Sequence, residues 1–459
     1  MYGFISRGVA GMTLAILSIH ALPAFAENEP ESMLQQRNAE FEPRVIEVAP
    51  DTYTAVGFGV STTSMIVGED GIIIIDTQID ELAANAVLTE FRKITDAPVK
   101  GIILTHGHGD HTGGVDVFAA AGEDVQIWAR QGFNQESQAL AEAGLTIQNQ
   151  RGARQGGFLL DPEQRINNGV AKVYFPQRGE KSFSAGTEPT HTVYGERQHI
   201  KIAGVSLEVV AANGETYDEQ YIWHEKEGVL FAGDNFYKSW PNLYAIRGTP
   251  YRDVLAWINS LSSMLEKNPK RLVGGHTRPI LGQQQTIETL TNYRDAIQSV
   301  FEQTTDGMNR GLTPDELVET VKLPEEYAQL DYLREYYGNI EWGVRAIFSG
   351  YLGWFDGNPT NLFPLSNVEE ARRIAALAGG SDILMQQAQD ALPNDPQWTA
   401  QLCDYLLALD YEVNRVKRLK ADALDELGNQ LLTATGRNYY FTVAKQLRQS
   451  TNHSQEVSP

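Results

Sequence analysis

Between Val45 and Ile75 the apolar positions come in short runs broken by Gly and polar pairs, as in Tyr53-Thr-Ala-Val56 and Ser64-Met-Ile-Val67. Runs of this length predict strands, the last being the wholly apolar Ile72-Ile-Ile-Ile75, which ends at Asp76. Glu81 to Ile94 predicts a helix and Val99 to Leu104 a further strand, so strand, helix and strand make a βαβ unit. Strands resume over Gln198 to Val210 and Gly228 to Ala232, and one α/β unit closes near residue 300. The stretch Gln148 to Arg178, polar and weakly periodic, predicts a long excursion over the face where the strands end.

Beyond that point the period changes. Thr313-Pro-Asp-Glu316 carries the start signal of a helix, with Pro in the first turn. Leu402, Tyr405, Leu406 and Leu409 share one helical face, as do Val416, Leu419, Ala423 and Leu427, with Asn414 as the hinge between the two helices. Such stripes must be buried, which predicts a helical second domain. Trp354 and Phe355 are expected in its core, as is Cys403.

The chain opens with Arg7, an apolar run from Val9 to Leu22 and the small-residue site Ala24-Phe25-Ala26. This is the plan of a secretory signal peptide over residues 1–26, cleaved before Glu27. The apolar run is short of the roughly 20 residues a spanning helix needs, so stable membrane insertion is not expected. Export to a bacterial periplasm follows as the expected location. The single cysteine permits an oxidising compartment without using it.

Composition, 42% hydrophobic and 21% charged over 459 residues, is that of an ordinary folded chain with room for two domains. A net charge of −22 repels nucleic acid and anionic membranes. An anionic substrate would need local positive charge, from metals or arginine, to overcome that field.

The candidate chemistry begins directly after the strand that ends at Leu104, where α/β sheets present their sites. Thr105-His-Gly-His-Gly-Asp-His111 places His106, His108, Asp110 and His111 in one loop. The chain has only nine histidines, and three within six residues point to metal rather than to a solvated polar loop. Imidazole and carboxylate are zinc ligands, and four in one loop can serve two neighbouring ions.

Here the sequence resembles the metallo-β-lactamase superfamily, whose His-x-His-x-Asp-His signature also follows a strand. The resemblance covers about Val45 to Ile280. It implies that Asp76 orients the metal-bearing loop and that further ligands lie at Glu215, Asp234 and His276. Val229-Leu-Phe-Ala-Gly-Asp234 and Val273-Gly-Gly-His276 each run a strand into a ligand. Most of the superfamily has histidine where this chain has Glu215. The alkyl sulfatases use glutamate there, and Asn242-Leu-Tyr-Ala-Ile-Arg-Gly248 is similar to their segment whose Asn and Arg contact sulfate. Tyr332-Leu-Arg-Glu-Tyr-Tyr-Gly338, Gly353-Trp-Phe-Asp-Gly-Asn-Pro359 and Lys420-Ala-Asp-Ala-Leu-Asp-Glu-Leu-Gly428 resemble their dimerisation domain.

The resemblance implies an α/β metallo-β-lactamase-like αββα sandwich over 27–305 and an all-α dimerisation domain over 306–459. It implies a homodimer with two zinc ions per subunit that cleaves alkyl sulfate esters to alcohol and sulfate. His106, His108 and Glu215 would hold one ion, Asp110, His111 and His276 the other, with Asp234 bridging. Asn242 and Arg247 would hold the sulfate, the guanidinium fork suiting a tetraoxyanion. Departures are Asp234 where the family bridges with Glu, the polar Arg151-Gly-Ala-Arg-Gln-Gly-Gly-Phe158 in place of a Tyr-bearing sulfate segment, and an end at Pro459 where longer members add a sterol-carrier-like domain. Cleavage of a β-lactam, lactone or phosphodiester is the alternative on the same fold. A non-catalytic periplasmic scaffold is the third reading, although structural zinc sites are usually closed and cysteine-rich.

Overall fold

The computed structural model describes residues 29–172 and 188–456. The expected signal peptide, and the end of the polar excursion from residue 173 on, lie outside those residues.

Ile72–Ile75 shows why the first half folds as it does. Successive side chains of a strand point to opposite faces. Ile73 and Ile75 enter one core and Ile72 and Ile74 another, which is why all four positions are apolar. The strand lies fourth of seven in a sheet ordered Arg44–Ala49, Thr52–Val56, Thr63–Val67, Ile72–Ile75, Val99–Ile103, Gln126–Arg130, His191–Val193. The first four are antiparallel neighbours and the last four parallel. A second sheet runs Ile280–Leu281, Arg271–Val273, Val229–Phe231, Gln220–His224, Val205–Ala211, Arg197–Ile202. It is antiparallel except for the pair Val229–Phe231 and Arg271–Val273.

The two sheets pack face to face through Ile66, Ile73, Ile103, Val209, Ile222 and Phe231. Outside the first sheet, Glu81–Phe91 and Val115–Ala119 cover Ile74 and Ile102 with Val87, Phe91 and Phe118. Outside the second, Val254–Glu266 and Gln283–Asn309 cover Tyr221 and Leu230 with Trp257, Leu261, Leu290 and Tyr293. This is the expected αββα sandwich. Its outer core continues into the helical region through Leu317, Val344 and Ile347.

The helix at Pro314–Thr320 starts with a full capping box, Thr313 and Glu316 each satisfying the other's backbone N–H. Leu402, Cys403, Leu406, Val416 and Leu419 meet in one buried cluster, as their stripes predict. The break between those helices lies earlier than Asn414, which sits inside Val413–Gln430. The chain turns instead at Asp410 and Glu412, both in the left-handed region. Trp354 also departs from expectation. It is 75% exposed, in edge contact with the half-buried Phe355, and belongs to the surface rather than the core.

The polar excursion holds a helix, Ile147–Gln155. Its apolar signal is absent because its inward side makes hydrogen bonds to backbone instead of packing greasy side chains.

Candidate metal centre

Four strand ends build the centre. Ile72–Ile75 delivers Asp76, Val99–Ile103 delivers the histidine loop, Val229–Phe231 delivers Asp234 and Arg271–Val273 delivers His276. All four strands end at the same edge of the sandwich, so residues 200 positions apart converge.

Asp76 sits in the left-handed region, with φ of 56°. The turn aims its carboxylate back at the loop, where it accepts from Thr105 N–H, from Thr105 Oγ1 and from His111 Nδ1, each at 2.8 Å. His111 is therefore protonated on Nδ1, leaving Nε2 for the centre. His276 is set likewise, its Nδ1 donating to the carbonyl of Val60 at 2.9 Å, which can only accept. Asp76, expected to orient the loop, touches it at Thr105 and His111.

His106, His108 and Asp234 offer ligand atoms that all lie within 4.8 Å of one another, and so do Asp110, His111 and His276. Asp234 lies between the two triples, Oδ2 3.0 Å from His276 Nε2 and 3.8 Å from His106 Nε2, Oδ1 3.3 Å from His111 Nε2. Glycine at 275 makes room for this, since a Cβ there would stand 1.8 Å from Asp234 Oδ1.

Glu215 is set back. Its Oε1 is 3.8 Å from His108 Nδ1, and it belongs to neither tight triple. Arg252, buried like Glu215, places Nη2 2.8 Å from that same oxygen, and Tyr237 OH donates to Oε2 at 3.2 Å. Arg252 also donates through Nη1 to the carbonyl of Asn242 at 2.5 Å, while Asn242 N–H donates to Tyr237 OH at 2.8 Å. Asn242 is thus pinned by its backbone, and its buried side-chain Nδ2 has no hydrogen-bond partner. Arg247 reaches the rim, Nη2 3.2 Å from His108 Nε2.

The electrostatics follow from burial and from Asp234. Burial, then the neighbouring rings and guanidinium groups, hold His106 and His108 well below the usual histidine range, as neutral ligands. Burial opposes charge on His111 and His276 too, but there Asp234 prevails, raising His111 well above its ordinary value and His276 to about 9. Burial lifts the Glu215 carboxyl to about 7 against the pull of Arg252.

The donor set fits metal ions. His111 Nε2 and Asp234 Oδ1 are buried, face the centre and meet only each other, 3.3 Å apart without a well-formed hydrogen bond. Such orphaned atoms are rare in proteins unless something else satisfies them. Nitrogen and carboxylate ligands without cysteine suit an open zinc site.

Three residues in this network carry no motif signal. Glu219, fully buried, accepts from Asp234 N–H at 2.8 Å and stands 3.6 Å from His106 Nδ1. A carboxylate entering the wholly buried strand Gln220–His224 is its only trace in the sequence. Arg252 and Tyr237 leave less, one charge before a helix and one aromatic after Asp234.

Comparison with known proteins identifies the family. Residues 56–276 match the family model of the metallo-beta-lactamase superfamily, and residues 313–450 match that of alkyl sulfatase dimerisation. A linear primary-alkylsulfatase from a Pseudomonas species is 35% identical over 390 residues, 83% of this chain and 73% of that one. An (R)-specific secondary-alkylsulfatase from Pseudomonas is 30% identical, over 88% of this chain and 62% of its own length. The solved structure of the stereoselective inverting sec-alkylsulfatase Pisa1 from Pseudomonas superposes with a TM-score of 0.82 at 29% identity, covering 91% of this chain and 67% of that one. The chain thus belongs to the alkylsulfatase family, sulfate-ester hydrolases within the metallo-beta-lactamase superfamily.

Proposed function

We propose that this chain hydrolyses alkyl sulfate esters to alcohol and inorganic sulfate at a pair of zinc ions. The carrying observation is the meeting of two ligand triples at Asp234, with Arg247 at the rim and Asn242, whose buried Nδ2 is unpaired, tied to Glu215 through Tyr237.

His106, His108 and Glu215 would hold one ion and Asp110, His111 and His276 the other, Asp234 serving both. Zinc bound there would supply Lewis acidity and a water acidified toward neutral pH. Asp76 and Glu219 hold the ligands in register through His111 and the Asp234 backbone. Asn242 Nδ2 and the Arg247 guanidinium would orient the sulfate and offset charge on it as the ester bond breaks. Arg247 matters because the ligand carboxylates and a chain at −22 leave little attraction for an anion. Arg252 plays a different part, pairing with Glu215 and fixing Asn242.

The active form is proposed to be a homodimer. Trp354, Leu362, Phe363 and Leu365 are exposed within fifteen residues of one another inside the region that matches the dimerisation family. A second copy would cover them. Export to a bacterial periplasm with loss of residues 1–26 completes the reading. No helix among the described residues is long and apolar enough to cross a membrane.

The test is turnover of dodecyl sulfate in oxygen-18 water, beside nitrocefin and bis-nitrophenyl phosphate. Release of alcohol and sulfate, lost on chelation and restored by zinc, is expected, and the label reports whether C–O or S–O breaks. Activity on the latter two substrates alone would overturn the reading.

A further inference from the structure

We propose that the helix Ile147–Gln155 is a clamp that positions Arg247, and that Gln155 is its principal positioning residue. The proposal rests on the reading of Arg247 as the sulfate-binding arginine.

Three side chains at helical spacing grip three consecutive residues of the Arg247 segment. Gln155 Oε1 accepts from Arg247 N–H at 3.0 Å. Arg151 Nη2 donates to the carbonyl of Ile246 at 2.5 Å, and Gln148 Nε2 donates to the carbonyl of Gly248 at 2.6 Å. Positions 148, 151 and 155 fall on one side of a helix, so a single rigid element fixes the backbone on both sides of Arg247. Between them Gly152 faces the arginine stem. A Cβ built at Gly152 would lie 3.8 Å from Arg247 Cδ, ordinary contact, so a larger side chain would push the stem aside.

A nine-residue helix is marginal alone and needs a support. Here the support is the helix Ala434–Glu456. Buried Asn438 donates through Nδ2 to the carbonyls of Gln155 at 3.4 Å and Asn167 at 3.2 Å, and Arg154 lies over the Tyr439 ring at 5.6 Å. One continuous set of contacts thus runs from the helical region to the guanidinium beside His108. Holding that group in place beforehand spares the substrate the cost of ordering it, so the clamp acts on anion binding.

Gln155→Leu removes the acceptor at similar volume, and Gly152→Val displaces the stem without touching a hydrogen bond. For each, KM and kcat on a primary alkyl sulfate, inhibition by inorganic sulfate, zinc per chain and thermal midpoint are measured. The expected result is a KM about fivefold to tenfold higher, the size of one lost hydrogen bond, with sulfate inhibition weakened by the same factor. The kcat stays within about threefold and zinc per chain does not fall. In an Arg247→Ala background, Gln155→Leu should add nothing further to KM, because contacts acting through one group are not additive. A KM unchanged in both variants would overturn the clamp. So would a KM effect that persists without Arg247, or a loss confined to zinc and stability. A wild-type enzyme without alkyl sulfate turnover would overturn the sulfatase reading, and the clamp with it.

Discussion

Arg247 places Nη2 3.2 Å from Nε2 of His108, a donor without acceptor capacity against a ring nitrogen. For that contact to be a hydrogen bond, Nε2 must be bare and the ring proton must sit on Nδ1, beside His106 Nε2 at 3.0 Å. A metal ion held through Nδ1 forces the opposite tautomer, with Nε2–H facing the guanidinium. Two donors would then converge where an anion could satisfy both, so an ion held there would release Arg247 toward an anionic substrate.

Arg247→Ala is therefore expected to raise KM for alkyl sulfates by about ten- to a hundredfold, the usual worth of a charge-assisted hydrogen bond. Zinc per chain should be unchanged. Arg247→Lys should recover only part of the loss, because an ammonium lacks the planar fork. Steady-state kinetics beside metal analysis check this, and unaltered kinetics would remove Arg247 from the site.

Asp76 should control metal affinity rather than substrate affinity. Its carboxylate takes three hydrogen bonds, two from Thr105 and one from His111. Asp76→Asn puts an NH2 group against one of those donors and frees the His111 ring. Partners of this kind are worth about 10- to 100-fold in metal affinity. Competition with a chelator should show zinc affinity lowered by that factor.

Gly275→Ala probes Asp234. The added Cβ would stand 1.8 Å from Asp234 Oδ1, and with the Asp234 backbone held by Glu219 the carboxylate must rotate away. Overpacking of this kind costs about 1–3 kcal/mol, so the fold should survive with a lowered melting temperature. Zinc per chain should fall clearly below that of the wild type. Full zinc content would show that this contact does not govern metal binding.

Part of this candidate site was legible because the histidine loop directly follows an apolar run that reads as a strand. His106 to His111 stood out by their own spacing, whereas Glu215, Asp234 and His276 were reached through the family resemblance, with apolar lead-ins at Asp234 and His276 that agree with it. Asp76 was likewise named through the resemblance, its place after Ile72–Ile75 alone reading as a strand-end turn. Gln148, Arg151 and Gln155 were not legible, because side chains that bond to backbone leave no period and no motif. Arg252 and Glu219 were hidden differently, as single charges whose burial depends on packing from distant strands. Trp354 misled because an aromatic pair in the sequence reads alike in a core and on a surface.

Cys403 should be inert. It lies fully buried in the helical core, and burial pushes its thiol up to about 12. The unfolded thiol ionises near 8.5, so between that pH and about 12 the unfolded chain releases a proton that the native chain keeps. Stability from this group is complete below that window and is lost as pH rises through it. At pH 8 a thiol reagent should label the native protein only as fast as the core opens, and at once in denaturant. Rapid native labelling would contradict the packing of this core.

The exposed aromatic segment carries the last prediction. Trp354 is 75% and Phe363 93% exposed, with Leu362 and Leu365 between 40 and 50%. Single apolar residues on a surface are ordinary, but four within one short segment on a strongly acidic chain call for a cover. None of them approaches the metal ligands in sequence, so disrupting the patch should separate assembly from chemistry. Trp354→Asp combined with Phe363→Glu places carboxylates where a second copy must dock, and like charges meet across any two-fold axis. Light scattering after size exclusion should find the wild type at twice the mass of one processed chain and the double variant at the single mass. Zinc content should not differ between them. A wild type already at the single mass would show that something other than a second copy covers this face.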